Sequence, residues 1–103
     1  DQASKAMARA HLETALDLAE RELPAWQESP DFFFVLGNLL LDRALADPAQ
    51  AVGHWLPLAG TAWERCLAIG ERPDLEGSVT GRGSHLARHN LEVLRSQLAR
   101  FAA

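Results

Sequence analysis

Between Gly77 and Ser84 the chain reads Gly77-Ser78-Val79-Thr80-Gly81-Arg82-Gly83-Ser84, three glycines and three hydroxyl residues around one arginine. Glycines let backbone approach a ligand closely, and the first turn of a helix presents free N–H groups to anions. Arg82 adds a fork-shaped donor suited to phosphate or carboxylate. With Ser84 and His85 beside it, the segment could hold a small anion such as a sugar phosphate or a peptide carboxylate. The plainer alternative is a turn with left-handed glycines and a Ser84 cap on the helix that follows. The plainer reading is preferred. A nucleotide phosphate loop is excluded, because no Gly-Lys-Ser/Thr follows.

Three other groups of residues carry possible chemistry. His85 and His89 stand four apart on one helix face, a spacing that suits two zinc ligands. A third and fourth ligand are not placed by the sequence, so ordinary surface or packing histidines are expected, as for His11 and His54. Glu71, Asp74 and Glu76 share a loop with Arg72 and Arg82. Paired carboxylates can do acid–base work when one pKa is raised. In a charged, wet loop they are expected to pair with the arginines instead, each exposed pair contributing on the order of 0–1 kcal/mol. Trp55 and Trp63 flank Pro57 and could line a groove, with Trp63 expected in the core. Cys66 reads as a small buried hydrophobe, since no base stands near it in sequence. No motif calls for a cofactor or a metal.

The whole-chain properties narrow the class. One hundred and three residues fit a single domain, and 48% hydrophobic with 23% charged residues marks a globular chain. A net charge of -4 argues against nucleic acid or an anionic membrane as main partner. A single cysteine excludes an internal disulfide framework and fits a reducing, cytoplasmic setting. The richest apolar run, 32–41, is about half the roughly 20 residues of a spanning helix, and no signal peptide is visible. A chain that starts on Asp1 without a methionine reads as a piece of a larger protein.

Helical periodicity supplies the elements that must position these groups. Ala8, Leu12, Ala15, Leu16, Ala19 and Leu23 form one apolar stripe of a first helix over 3–23, opposed by Arg9, Glu13, Asp17 and Glu20. Pro24 ends it, and Trp26 in the linker is expected to tuck against the core. A second helix begins after Pro30, with Asp31 at its favourable end. It is apolar almost all round and must be covered on several sides or pair with another chain, which raises a homodimer through this helix. Pro57 predicts a kink or break, with a third helix over 58–69 closed by Gly70. A fourth helix starts near Ser84, with Ala87, Leu91, Leu94, Leu98 and Phe101 along one stripe. The connector before it is far longer than the roughly 2–8 residues two packed helices need. No segment alternates with period two, so no sheet is expected.

The spacing of small and large residues repeats. Ala8, Leu12, Ala15 and Leu16 share their relative offsets with Ala59, Trp63, Cys66 and Leu67. This small–large–small–large pattern resembles the second helix of a tetratricopeptide repeat. Phe33, Leu36, Gly37 and Leu40 resemble the first helix of one, and Asn90-Leu91 the start of another. Two departures stand out. The matching patterns lie 51 residues apart, against a family period of 34, and Glu92 follows Asn90-Leu91 where a small residue is usual. A four-helix bundle is the alternative architecture.

A closer likeness covers 31–98. The words Trp63-Glu64-Arg65-Cys66-Leu67, Gly70-Glu71-Arg72-Pro73 and Gly81-Arg82-Gly83-Ser84 resemble repeat regions attached to bacterial family 2 glycosyltransferases. In that family the transfer chemistry belongs to a separate nucleotide-sugar domain with paired aspartates, a motif not visible here. The resemblance implies an accessory module rather than the catalyst.

These readings converge on an all-α chain. About four main helices form antiparallel pairs in a tetratricopeptide-like, right-handed superhelical stack within one domain, 1–103. The expected function is a non-catalytic scaffold. It would bind a protein or peptide segment, or dock a catalytic domain of the same chain, in a concave groove with an apolar floor and polar rim. Asn38 and Asn90, on presumed first helices, and Arg82, entering from the loop, are the expected polar contacts. The rivals are a small-anion or sugar-phosphate domain, possibly enzymatic, using Arg82, Ser84, His85 and Glu76, and a self-association module.

Overall fold

The Ser29-Pro30-Asp31 triplet writes a helix start into the chain, and the backbone obeys it. The Ser29 Oγ accepts from the Phe32 N–H at 3.1 Å, Pro30 occupies the first helical position where no donor is needed, and Asp31 sits in the first turn. This helix, α2, spans Pro30–Ala46. It is preceded by α1, Gln2–Glu22, and followed by α3, Leu56–Ile69, and α4, His85–Ala102. The computed structural model describes residues 2–102, without the side chains of Lys5, Phe101 and Ala102, so the Phe101 position of the α4 stripe lies outside the described residues. Among the described residues the chain is all-helical and has no strand.

Consecutive helices pair antiparallel. The Glu13 carboxylate of α1 meets Arg43 near the end of α2 at 2.7 Å. At the other end of α2, the Cys66 Sγ of α3 donates to the Pro30 carbonyl at 3.3 Å. Gly60 of α3 lies under Leu94 of α4, while Gly83 just before α4 abuts the Gly70 carbonyl just after α3. The most extensive packing is α2 against α3. Phe33, Leu40, Ala44, Ala59, Ala62, Trp63, Cys66, Ala87, Leu91 and Leu94 form the buried core across α2, α3 and α4.

The small–large pattern explains this packing. Ala59, Trp63 and Cys66 are all buried, and Trp63 lays its indole directly on Gly37 of α2. Any side chain at position 37 would occupy the space the indole fills. The equivalent α1 pattern of Ala8, Leu12, Ala15 and Leu16 is only half-buried or exposed, because among the described residues α1 packs chiefly on α2. The apolar girth of α2 is covered by α1, α3 and the 70–84 connector. Val35 and Leu45 are its large apolar side chains left exposed.

Two local expectations change. Trp26 does not tuck into the core. The chain turns through a short 3-10 segment, Leu23–Trp26, and leaves the indole 49% exposed. Pro57 causes no break. A helical turn, Pro48–Gln50, runs into a five-residue π-helical segment, Ala51–Trp55, and then into α3 without interruption. The wider π-turn absorbs the crowding that a proline ring imposes on the preceding carbonyls, so Pro57 sits in the first turn of α3. One cluster ties the π-helical segment to the end of α2. Arg43 stacks over Trp55 at 4.5 Å, and the Trp55 Nε1 donates to Asp47 at 3.4 Å.

Candidate functional site: an uncharged groove with carboxamides

The π-helical segment has a consequence for the surface. Its Ala51 and Val52, with Pro48 before it, line one wall of a groove of about 570 Å³ between α2, α3 and α4. Trp63, Leu41, Leu56 and Leu94 form the apolar floor. Leu45, Val52 and Val93 stand along the rim, 72%, 43% and 47% exposed, which is unusual for branched aliphatic side chains so close together. Asn38 from α2 and Asn90 from α4 line the same groove, with Gln97 and His89 at its edge. No Asp, Glu, Lys or Arg contributes to the lining. An uncharged trough with carboxamides can desolvate apolar side chains and still offer a paired donor and acceptor to a backbone amide.

The structure therefore brings Asn38 and Asn90 together and separates them from Arg82, Ser84 and His85. Those three belong to the 70–84 connector and the start of α4. Arg82 and Ser84 donate to carboxylates of the same chain. Glu71 Oε1 accepts from the Ser84 Oγ at 2.6 Å and from the Gly81 N–H at 2.7 Å. Ser84 precedes α4 as expected, but its hydroxyl donates to Glu71. Asp31, at the start of α2, accepts from the Val79 N–H at 2.9 Å and from Arg82 Nη1 at 3.2 Å. Arg82 also lies over the Phe34 ring at 5.3 Å. It borders a separate shallow hollow of about 330 Å³ with Trp26, Asp31 and Ser78. The anion-binding potential of the glycine-rich segment is thus directed inward, at Glu71 and Asp31.

Arg72 completes the fastening. It donates to both oxygens of Asp74 at 2.9 and 2.8 Å and approaches the Glu28 carboxylate at 3.5 Å. Gly70, Gly77 and Gly81 adopt φ of 78°, 77° and 101°, the left-handed range the sequence suggested. The hydrogen bonds from Ser84 and Gly81 hold the Glu71 carboxyl below its usual value of 4.5, and Arg72 does the same for Asp74. A lowered folded-state pKa means the native state binds fewer protons than the unfolded chain. The contribution is therefore complete above the ordinary glutamate range and is lost as pH falls through the depressed value. Acid unfolding followed by far-UV circular dichroism should show Glu71→Gln with a flatter dependence below about pH 4.5 than the parent.

The remaining candidates have plain placements. His85 approaches the Ser84 Oγ at 3.5 Å, whereas His89 faces the groove edge. No group of three or more His, Cys, Asp or Glu gathers among the described residues. Cys66 is fully buried, and burial pushes its thiol up to about 12, which removes it as a nucleophile near neutrality. No described helix is long and apolar enough to cross a membrane. Comparison with protein-family models, with curated proteins and with solved structures finds no match.

Asn38 and Asn90, singled out from the sequence, line this groove, but the wall that faces them was not read from the sequence. Pro48, from the preceding turn, and Ala51 and Val52, from the π-helical segment, form that wall. The Pro57 signal marked the place without the shape.

Proposed function

We propose that this chain is a non-catalytic interaction module, built as a tetratricopeptide-like stack, that docks an apolar peptide segment in the groove between α2 and α4. The observation that carries the reading is the convergence of Asn38 and Asn90 on an uncharged, aliphatic-rimmed trough. Apolar side chains of the segment would fill the floor over Trp63, and the two carboxamides would engage its backbone. The segment's groove-facing side must be uncharged, because no lining group compensates a buried charge. The resemblance to repeat regions of bacterial glycosyltransferases suggests that a catalytic neighbour supplies this segment. Apart from His89 at its edge, the groove offers no titratable or nucleophilic side chain.

Titration of the labelled protein with uncharged, leucine-rich peptides of about 10–15 residues, followed by NMR shift changes, tests the reading. Shifts should concentrate at Asn38, Val93 and Asn90. Val93→Glu and Leu45→Glu alter exposed side chains and should leave the fold intact while weakening binding at least about 10-fold. Arg82→Ala should leave it unchanged. Binding that survives both rim substitutions, or inorganic phosphate binding lost on Arg82→Ala, would replace the groove with the connector as the functional site.

A further inference from the structure

The 70–84 connector is fastened without being packed. Its large apolar side chains, Leu75 and Val79, join neither the core nor the apolar residues around it, and Val79 is 43% exposed. Its polar contacts fall into two sets. At the neck, Gly83 abuts the backbone of Gly70 and Glu71, and the Glu71 carboxylate accepts from Gly81 and Ser84. Beyond the neck, residues 72–80 are bonded mostly to one another. The Leu75 and Ser78 amides donate to the carbonyls of Arg72 and Leu75 at 3.1 and 3.2 Å, and Arg72 grips Asp74. A compact loop with close ends and bonds of its own can move as one body.

Between this loop and the start of α2 lies the hollow of about 330 Å³. Leu75, Glu76 and Ser78 form its loop side, and Trp26, Phe32 and Val35 form an apolar side opposite. We infer that 72–80 is a flap that lifts off α2 as a unit, turning about the neck and opening this hollow while the core stays closed. Two latches hold it. The Val79 N–H donates to Asp31 Oδ1 at 2.9 Å, and Arg72 reaches the carbonyl and the carboxylate of Glu28, each at 3.5 Å. The Glu28 side chain is 73% exposed, so its ion pair with Arg72 contributes little. Asp31 is the principal latch, and Arg82 Nη1, donating to the same oxygen at 3.2 Å, holds that carboxylate in place.

Lifting the flap breaks these few bonds and uncovers little apolar surface. Its free energy is therefore a fraction of that of global unfolding. The opened hollow presents the Trp26, Phe32 and Val35 face, which the closed flap covers in part. This site is separate from the groove between α2 and α4, and neither depends on the other.

Native-state hydrogen exchange in urea below the unfolding transition reads the opening. Relative to its intrinsic rate, the Val79 amide should exchange at least about 100-fold faster than the Gly70 amide, which donates to the Cys66 carbonyl at 2.9 Å. The Val79 rate should be nearly independent of urea, because the opening exposes little surface. A glutamate-specific endoproteinase should cut first after Glu76, at the exposed tip. Asp31→Ala removes the latch and should speed that cut about 10-fold. Asp31→Asn loses the same charge at the start of α2 but keeps an oxygen for the Val79 amide. It should be cut at close to the parent rate, with Gly70 equally protected in both variants. Val79 exchange that follows urea in step with Gly70, a first cut elsewhere, or equal cutting of Asp31→Ala and Asp31→Asn would each overturn the flap.

Discussion

Trp63→Ala is expected to lower the free energy of unfolding by about 3–5 kcal/mol, the largest loss available to any single side chain here. The indole is 2% exposed and is the largest side chain in the core. It bridges α2 and α3 across Gly37 and forms part of the groove floor. Burying it removes on the order of 200 Å² from water, or about 5 kcal/mol at 25 cal/mol per Å². A chain of this length holds only about 5–15 kcal/mol in total, so the alanine variant should melt far below the parent and approach the unfolded state in mild urea. Trp63→Phe should cost much less. Its ring keeps most of the apolar volume and discards the buried indole N–H, which has no acceptor. Gly37→Ala approaches the same contact from the other side. The new methyl would overlap the indole, and overpacking of this kind costs about 1–3 kcal/mol despite the better helix propensity of alanine. Because both substitutions act on one contact, Gly37→Ala should be less harmful in the Trp63→Phe background. Chemical denaturation of the four proteins measures that coupling directly, and strict additivity would show that the indole can move aside.

Gly83→Ala is the second large effect. A Cβ at position 83 would collide with the carbonyl of Gly70 and the amide of Glu71, which are backbone atoms that cannot rotate away. The start of α4 would have to separate from the end of α3. That movement would pull Gly81 and Ser84 off the Glu71 carboxylate and expose part of the interface containing Ala87 and Leu91. The expected cost is on the order of 3 kcal/mol, the range of substitutions with a named backbone conflict. Thermal unfolding gives the magnitude, and a change within about 0.5 kcal/mol would mean that the connector adapts. Gly77→Ala serves as a contrast. It has open space for a Cβ but a φ of +77°, so only conformational strain of about 1 kcal/mol applies.

These two sites mark where the sequence could be read and where it could not. Ala59, Trp63 and Cys66 were legible because small and large residues at helical spacing dictate a close pair, and Phe33 and Gly37 supplied the opposing surface. The start of α2 near Pro30-Asp31 was legible because helix-start signals are local, although the Ser29 cap was not read. The 70–84 connector was legible only as a turn with charges. Asp31 and Arg82 lie 51 residues apart, and no local rule pairs them. Trp26 was misplaced because bulk alone argued for burial, while a 3-10 turn decided its direction. The groove was half legible. Asn38 and Asn90 follow from their positions on α2 and α4, but the 48–56 wall depends on how a proline is accommodated one turn later.

The lone thiol turns the protein into its own clock. Cys66 is sealed between α2 and α3, with Pro30 and Ala62 carbonyls against its sulfur, and stays protonated in the native state. A soluble alkylating reagent can reach it only when those two helices part. The rate of labelling therefore counts native-state openings of the helical core, without a probe having to be introduced.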